Sequence, residues 1–137
     1  MAYTIYNQYL ESEVMTADPV KLVCMLYRGA IEATAAARRH LRAGEIRERS
    51  RQITRAFEIL QELSQSLDPA QEISIRLSDL YAYMQSRLLE ANVKQIEEPM
   101  AEVENLLSTL LEGWRAAVPA AVPVQDPASY QPVSCAY

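Results

Sequence analysis

One histidine, two cysteines and a dense run of arginines are the residues of this 137-residue chain that could do chemistry. Phosphotransfer to an imidazole is a reaction that a helical protein can host. It needs an exposed histidine in the middle of a helix, whereas His40 sits one turn from a helix end marked by Gly44, among Arg38, Arg39 and Arg42. A plain surface histidine is the expectation, with a phosphotransfer-like or other interaction module as the alternative. A di-iron bundle would need Glu-x-x-His pairs on facing helices, and the chain has none. Cys24 and Cys135 are too few for a disulfide framework and have no metal-ligand spacing, so they read as thiols of a reducing compartment. No glycine-rich phosphate loop or activated nucleophile is present. These residues exclude catalysis, a cofactor and a metal from the expected function.

The arginines (Arg38, Arg39, Arg42, Arg47, Arg49, Arg51 and Arg55) are interleaved with Glu45, Glu48 and Glu58. On a helical reading most of them point into solvent as a hydrated face. The net charge of −5 argues against nucleic acid as a partner. The N-terminal stretch has neither the basic region nor the apolar core of a secretory signal. No apolar run suffices to span a bilayer, so the expected compartment is the cytoplasm and no membrane partner is expected.

What positions these residues is a set of helices. Half of the chain is hydrophobic and only three residues are glycine, a balance that favours an all-α domain. Asp18-Pro19 is a helix start: the aspartate caps, and proline suits the first turn. Val23, Leu26, Tyr27, Ala30, Thr34, Ala37 and Leu41 then hold a helical period up to Gly44. Ile53, Phe57, Leu60 and Leu67 mark a second helix over about 46–67, joined by so short a turn that the two must be antiparallel. Asp68-Pro69, with Gln71 as a capping-box partner, predicts a third helix over about 70–95. Pro99, after Glu97-Glu98, opens a fourth, with Met100, Val103, Leu107, Leu111 and Trp114 on its inner face.

The expected fold is therefore an antiparallel four-helix bundle over 16–118. A short N-terminal aromatic segment (1–15) precedes it, and a flexible proline-rich tail (119–137) follows. Tyr6, Tyr9 and Leu10 form an apolar strip too short to stand alone. It either caps the bundle or acts as a removable lid over a groove. The core needs about three apolar positions per two turns, and Val20, Cys24, Ile31, Ile59, Ile75, Leu89, Val93 and Leu107 exceed that allowance. The excess points to a generous core, a homodimer face, or a groove for a partner helix.

Three stretches carry a resemblance. Thr16-Ala17-Asp18-Pro19 with Leu22, Met25-Leu26-Tyr27 and Gly29 is similar to the first long helix of the flagellar secretion chaperones. Leu80-Tyr81-Ala82-Tyr83-Met84 with Arg87-Leu88 and Ala91-Asn92 resembles that family's third-helix segment, although the family often has Asp at Ala82 and a basic residue at Ser86. Glu102-Val103-Glu104 with Leu106-Leu107 and Trp114 is similar to its last helix, and Tyr6 and Tyr9 match its paired N-terminal aromatics. The resemblance implies a cytoplasmic chaperone that binds the flagellin C-terminal segment, blocks premature polymerisation and delivers its cargo to a component of the flagellar export gate. The implied contact set is Tyr6, Tyr9, Leu10, Val20, Cys24, Tyr27, Ile31, Phe57, Tyr81, Tyr83, Met84, Leu89 and Leu107.

Overall fold

The computed structural model describes residues 19–121, with side chains placed up to residue 117. Four helices follow one another: α1 (Pro19–Ala43), α2 (Ile46–Gln65), α3 (Glu72–Lys94) and α4 (Glu98–Ala121). No strand occurs among the described residues. The expected cap at Asp18, the aromatic segment with Tyr6, Tyr9 and Leu10, and the tail beyond 121 lie outside them.

Short connections make neighbours antiparallel, and the contacts close a square. α1 borders α2 and α4, while α3 borders the same two from the opposite corner. Gly44 ends α1 with φ +73°, a left-handed conformation that costs glycine little. There the Glu45 N–H reaches the His40 carbonyl at 2.9 Å and the Gly44 N–H reaches that of Leu41 at 3.1 Å. Both bonds satisfy carbonyls that the helix end would otherwise strand. Gln95 ends α3 in the same left-handed region, φ 58°.

α1 packs through small residues. Ala30, Ala33 and Ala37 are fully buried, and Thr34 turns its hydroxyl back onto the Ala30 carbonyl at 2.8 Å. Opposite them, α2 contributes Ile53, Ile59, Leu60 and Leu63. α3 brings Leu77, Tyr81, Met84 and Leu88, and α4 brings Met100, Val103, Leu107 and Leu111.

Three boundaries differ from the sequence expectation. Asp68 and Pro69 form a turn rather than the first turn of α3, which begins at Glu72. The Asp68 carboxylate accepts from the Ala70 N–H at 3.0 Å, and its carbonyl takes the Gln71 N–H and the Ser74 hydroxyl. Gln71 makes no side-chain capping bond, so the capping box does not form. α2 stops at Gln65, two residues early, where Ser66 folds its own hydroxyl onto the Leu63 carbonyl. α4 continues through Pro119 to Ala121. A proline in the last turn forfeits one backbone bond, and a helix that is already ending tolerates that loss.

Arg49 is the other correction. It is buried to 4% exposure instead of lying on the hydrated face. Its guanidinium donates through Nε to Asn92 Oδ1 at 2.9 Å, and the Asn92 carbonyl lies 3.3 Å from Nη2. A buried cation persists only when its protons are taken up, and the last turn of α3 presents its negative end there.

Candidate partner-binding surface

The expected contact residues divide into an inside and an outside. Cys24, Tyr27, Tyr81, Met84 and Leu107 are buried in the core, with Tyr27 and Tyr81 in contact. Their hydroxyl oxygens are 2.6 Å apart and their rings meet edge-on with centroids 6.3 Å apart. Burial drives both phenols above their ordinary value. The shared hydrogen bond pushes Tyr81 higher still, while bonds to Tyr81 and Trp114 partly offset the rise at Tyr27. These groups shape the bundle and stay away from solvent.

Val20 and Ile31 are partly buried against the core from α1, and Phe57 is partly buried on α2. The Phe57 carbonyl accepts from Gln85 Nε2 of α3 at 3.2 Å, and that amide also meets Gln61 Oε1 at 3.1 Å. One amide thus clasps the two helices together.

The outside lies mostly on α3. Leu77, Tyr81, Met84, Leu88 and Ala91 occupy its inner face, and a second apolar set looks the other way. Ile75 is 65% exposed, Leu89 49% and Val93 79%. Ile73 and Ile96 are exposed at its two ends, and Ile46 is exposed at the start of α2. At one end, Leu67, Pro69, Ser74, Ile75 and Ser78 line a shallow depression between α2 and α3. Of the apolar residues beyond the core allowance, Cys24, Ile59 and Leu107 were absorbed by the interior, whereas Ile75, Leu89 and Val93 were not.

A polar seam borders this face on the α4 side. Tyr83 donates its hydroxyl to Glu102 at 2.7 Å, and Arg87 holds Glu102, Glu98 and Glu90 at 2.7, 3.2 and 2.8 Å. Hydrogen bonds from Tyr83 and then Arg87 keep the Glu102 carboxyl below its ordinary range, and the same carboxylate raises the Tyr83 phenol. On the α1 side of α4, Glu97 receives both Arg38 and Arg42, and Arg38 also reaches Glu104 at 2.7 Å. Hydrogen bonding, first from Arg42 and then from Arg38, holds the Glu97 carboxyl low. Sequence reading missed these partnerships because it assigns the arginines to solvent without pairing helix to helix. In the sequence Ile75, Leu89 and Val93 stand out only as apolar residues beyond the core allowance.

His40, in the last turn of α1, has Nδ1 2.6 Å from Glu45 Oε1 at the surface. Among the described residues no group of His, Cys, Asp and Glu is placed to hold a metal ion, and no helix is long and apolar enough to cross a membrane.

A bundle whose core is filled while one helix still turns apolar side chains to solvent has the build of a helical binding protein. The particular family follows from comparison. The family model of flagellar protein FliS matches residues 2–121, and the chain belongs to that family. It is 38% identical over 115 residues to the flagellar secretion chaperone FliS of Salmonella typhimurium, covering 82% of this chain and 85% of that protein. The flagellar secretion chaperone FliS of Bacillus subtilis is 30% identical over 113 residues, with the same two coverages. The corresponding chaperone of Campylobacter jejuni is 34% identical over 112 residues, covering 80% and 88%.

Proposed function

We propose that this chain is a cytoplasmic export chaperone that binds the C-terminal helical segment of flagellin, keeps it from polymerising early and delivers it to the flagellar export gate. The observation that carries this reading is the unfilled apolar stripe on α3, Ile75, Leu89 and Val93, in a chain of a secretion-chaperone family. Exposed leucine, isoleucine and valine on one helix face suit an amphipathic helix laid into a groove. A cargo segment that is disordered alone and helical when bound spends part of its binding energy on ordering, which leaves the complex weak enough to release.

Val20, Ile31, Phe57, Tyr83 and Leu89 are the contact residues that remain accessible in whole or part. Cys24, Tyr27, Tyr81, Met84 and Leu107 take the supporting role of holding that surface in shape. Tyr6, Tyr9 and Leu10 are proposed as the displaceable lid over the cargo groove.

Calorimetry with a flagellin C-terminal peptide tests the reading. Leu89→Glu should weaken binding by tenfold or more, about 1.4 kcal/mol or above, while circular dichroism of the bundle stays unchanged. Unaltered affinity in a Leu89→Glu/Val93→Glu variant would remove the α3 stripe from the cargo site. Deleting residues 1–12 should leave binding equal or tighter, because a closed lid lowers apparent affinity.

A further inference from the structure

Beyond Ala121 the sequence is apolar at every third residue: Val124, Pro127, Tyr130 and Val133, with Gln125, Asp126, Ser129 and Gln131 among those between. A period of three belongs to neither a helix nor a strand. Polyproline II turns once in three residues, so this spacing sets the four side chains along one edge. Pro123, Pro127 and Pro132 favour that conformation and lower the entropy lost when the segment docks.

We propose that this segment docks in the depression between the end of α2 and the start of α3, with Tyr130 against Leu67, Pro69 and Ile75. Those three give the depression its apolar wall, and Ile75 is largely exposed there. Polyproline II leaves its backbone carbonyls without internal hydrogen bonds. Ser64 and Ser78 line the same depression and have hydroxyls to donate to them. Ser74 is already committed, through its hydroxyl, to the Asp68 carbonyl at 2.6 Å.

Position and charge select this occupant. α3 and α4 are antiparallel neighbours of 23 and 24 residues, so Ala121 ends level with the first turns of α3. Packed helices lie about 10 Å apart, and the chain from Ala121 to Tyr130 spans about 28 Å as polyproline II. That length carries Tyr130 across the start of α3. The path passes Arg76, which stands seven residues before the Tyr83 that bonds Glu102, and hence on the α4 side of α3. Arg76 is exposed and makes no ion pair among the described residues. Asp126, the one charged residue after Arg115, is placed to meet it. A tethered segment meets its site at an effective concentration on the order of millimolar, so a contact too small to join separate molecules holds within one chain. That the docked segment competes with cargo for Ile75 rests on the cargo reading above; the docking itself does not.

A nitroxide on Cys135 of the full, isotope-enriched chain tests it by nuclear magnetic resonance, since the other thiol, Cys24, is fully buried. We expect the amide signals of residues 67–79 to lose most of their intensity, while those around Arg42 and Ile46 at the opposite pole keep theirs. Ile75→Glu or Tyr130→Ser should each restore the lost signals. No attenuation over 67–79, attenuation centred on another face, or a loss that survives both substitutions overturns the proposal. Equal attenuation between a spin-labelled chain and a separate enriched chain assigns the depression to a second copy and overturns it too. Flagellin peptide should bring the signals back, and Tyr130→Ser should tighten the apparent Kd of the peptide about twofold or more. Peptide that binds with the segment still docked overturns the competition and leaves the docking standing. Peptide that binds neither form overturns the cargo reading and leaves the docking standing.

Discussion

Tyr27 and Tyr81 join the diagonal corners of the bundle through hydroxyl oxygens 2.6 Å apart. α1 and α3 occupy opposite corners of the square, so this bond runs across it rather than along an edge. Tyr27→Phe and Tyr81→Phe should each strand the other hydroxyl and cost about 1–3 kcal/mol. The double variant should be milder than the sum of the two, as urea denaturation of all three would show.

The same pair gives an alkaline limit. Both phenols are raised above the ordinary 10.0 in the folded protein. Their contribution is fully present below pH 10 and fades as pH climbs from there toward the folded values, because the unfolded chain loses these protons first. Melting temperature should fall above about pH 10, and the Tyr27→Phe/Tyr81→Phe variant should show a shallower fall.

Glu97 sets an acid counterpart. Its carboxyl is lowered from 4.5 by Arg42 and Arg38, so its stabilising contribution is present above that pH and is lost on acidification through the folded value. Glu97→Gln should lower the melting temperature by a few degrees at neutral pH. The difference from the parent should shrink as pH falls through the lowered folded value; a gap that persists at still lower pH would assign the effect to lost packing.

The buried Arg49 guanidinium is held by the partly buried Asn92 amide. Asn92→Ala should cost about 2–3 kcal/mol, since it leaves a buried guanidinium short of an acceptor. Arg49→Met/Asn92→Leu should cost less than either single change would suggest, which thermal melts of the three variants can decide.

Gly44 should resist substitution by a β-carbon even though no atom lies within 4 Å of where that carbon would stand. The obstacle is its φ of +73°, so Gly44→Ala should cost about 1 kcal/mol and Gly44→Asn less. Equal losses for the two in chemical denaturation would contradict a purely conformational cause.

Much of this was legible because helical period survives in the sequence. Leu26, Ala30, Ala37 and their counterparts on the other helices mark the inner faces, and Gly44 marks a stop. What was hidden depends on helix-to-helix partners. Arg49 looks solvated within its arginine-rich run, and only the last turn of α3 makes its burial tolerable. Asp68 has the chemistry of both a helix cap and a turn, and the Ser74 hydroxyl on its carbonyl accompanies the turn. α3 carries two apolar faces, so its period identifies a helix without saying which face is inside; Tyr81 facing Tyr27 decides that.

The ties of Arg38 and Arg42 to Glu97, of Arg87 to Glu98 and Glu102, and of Arg49 to Asn92 all gather where α1 and α3 end and α2 and α4 begin. These ties rivet the molecule at one pole, and at the opposite pole Val20 and Trp114 pack against the core. Amide hydrogens at the riveted pole should therefore exchange through rarer opening than those at the far helix ends.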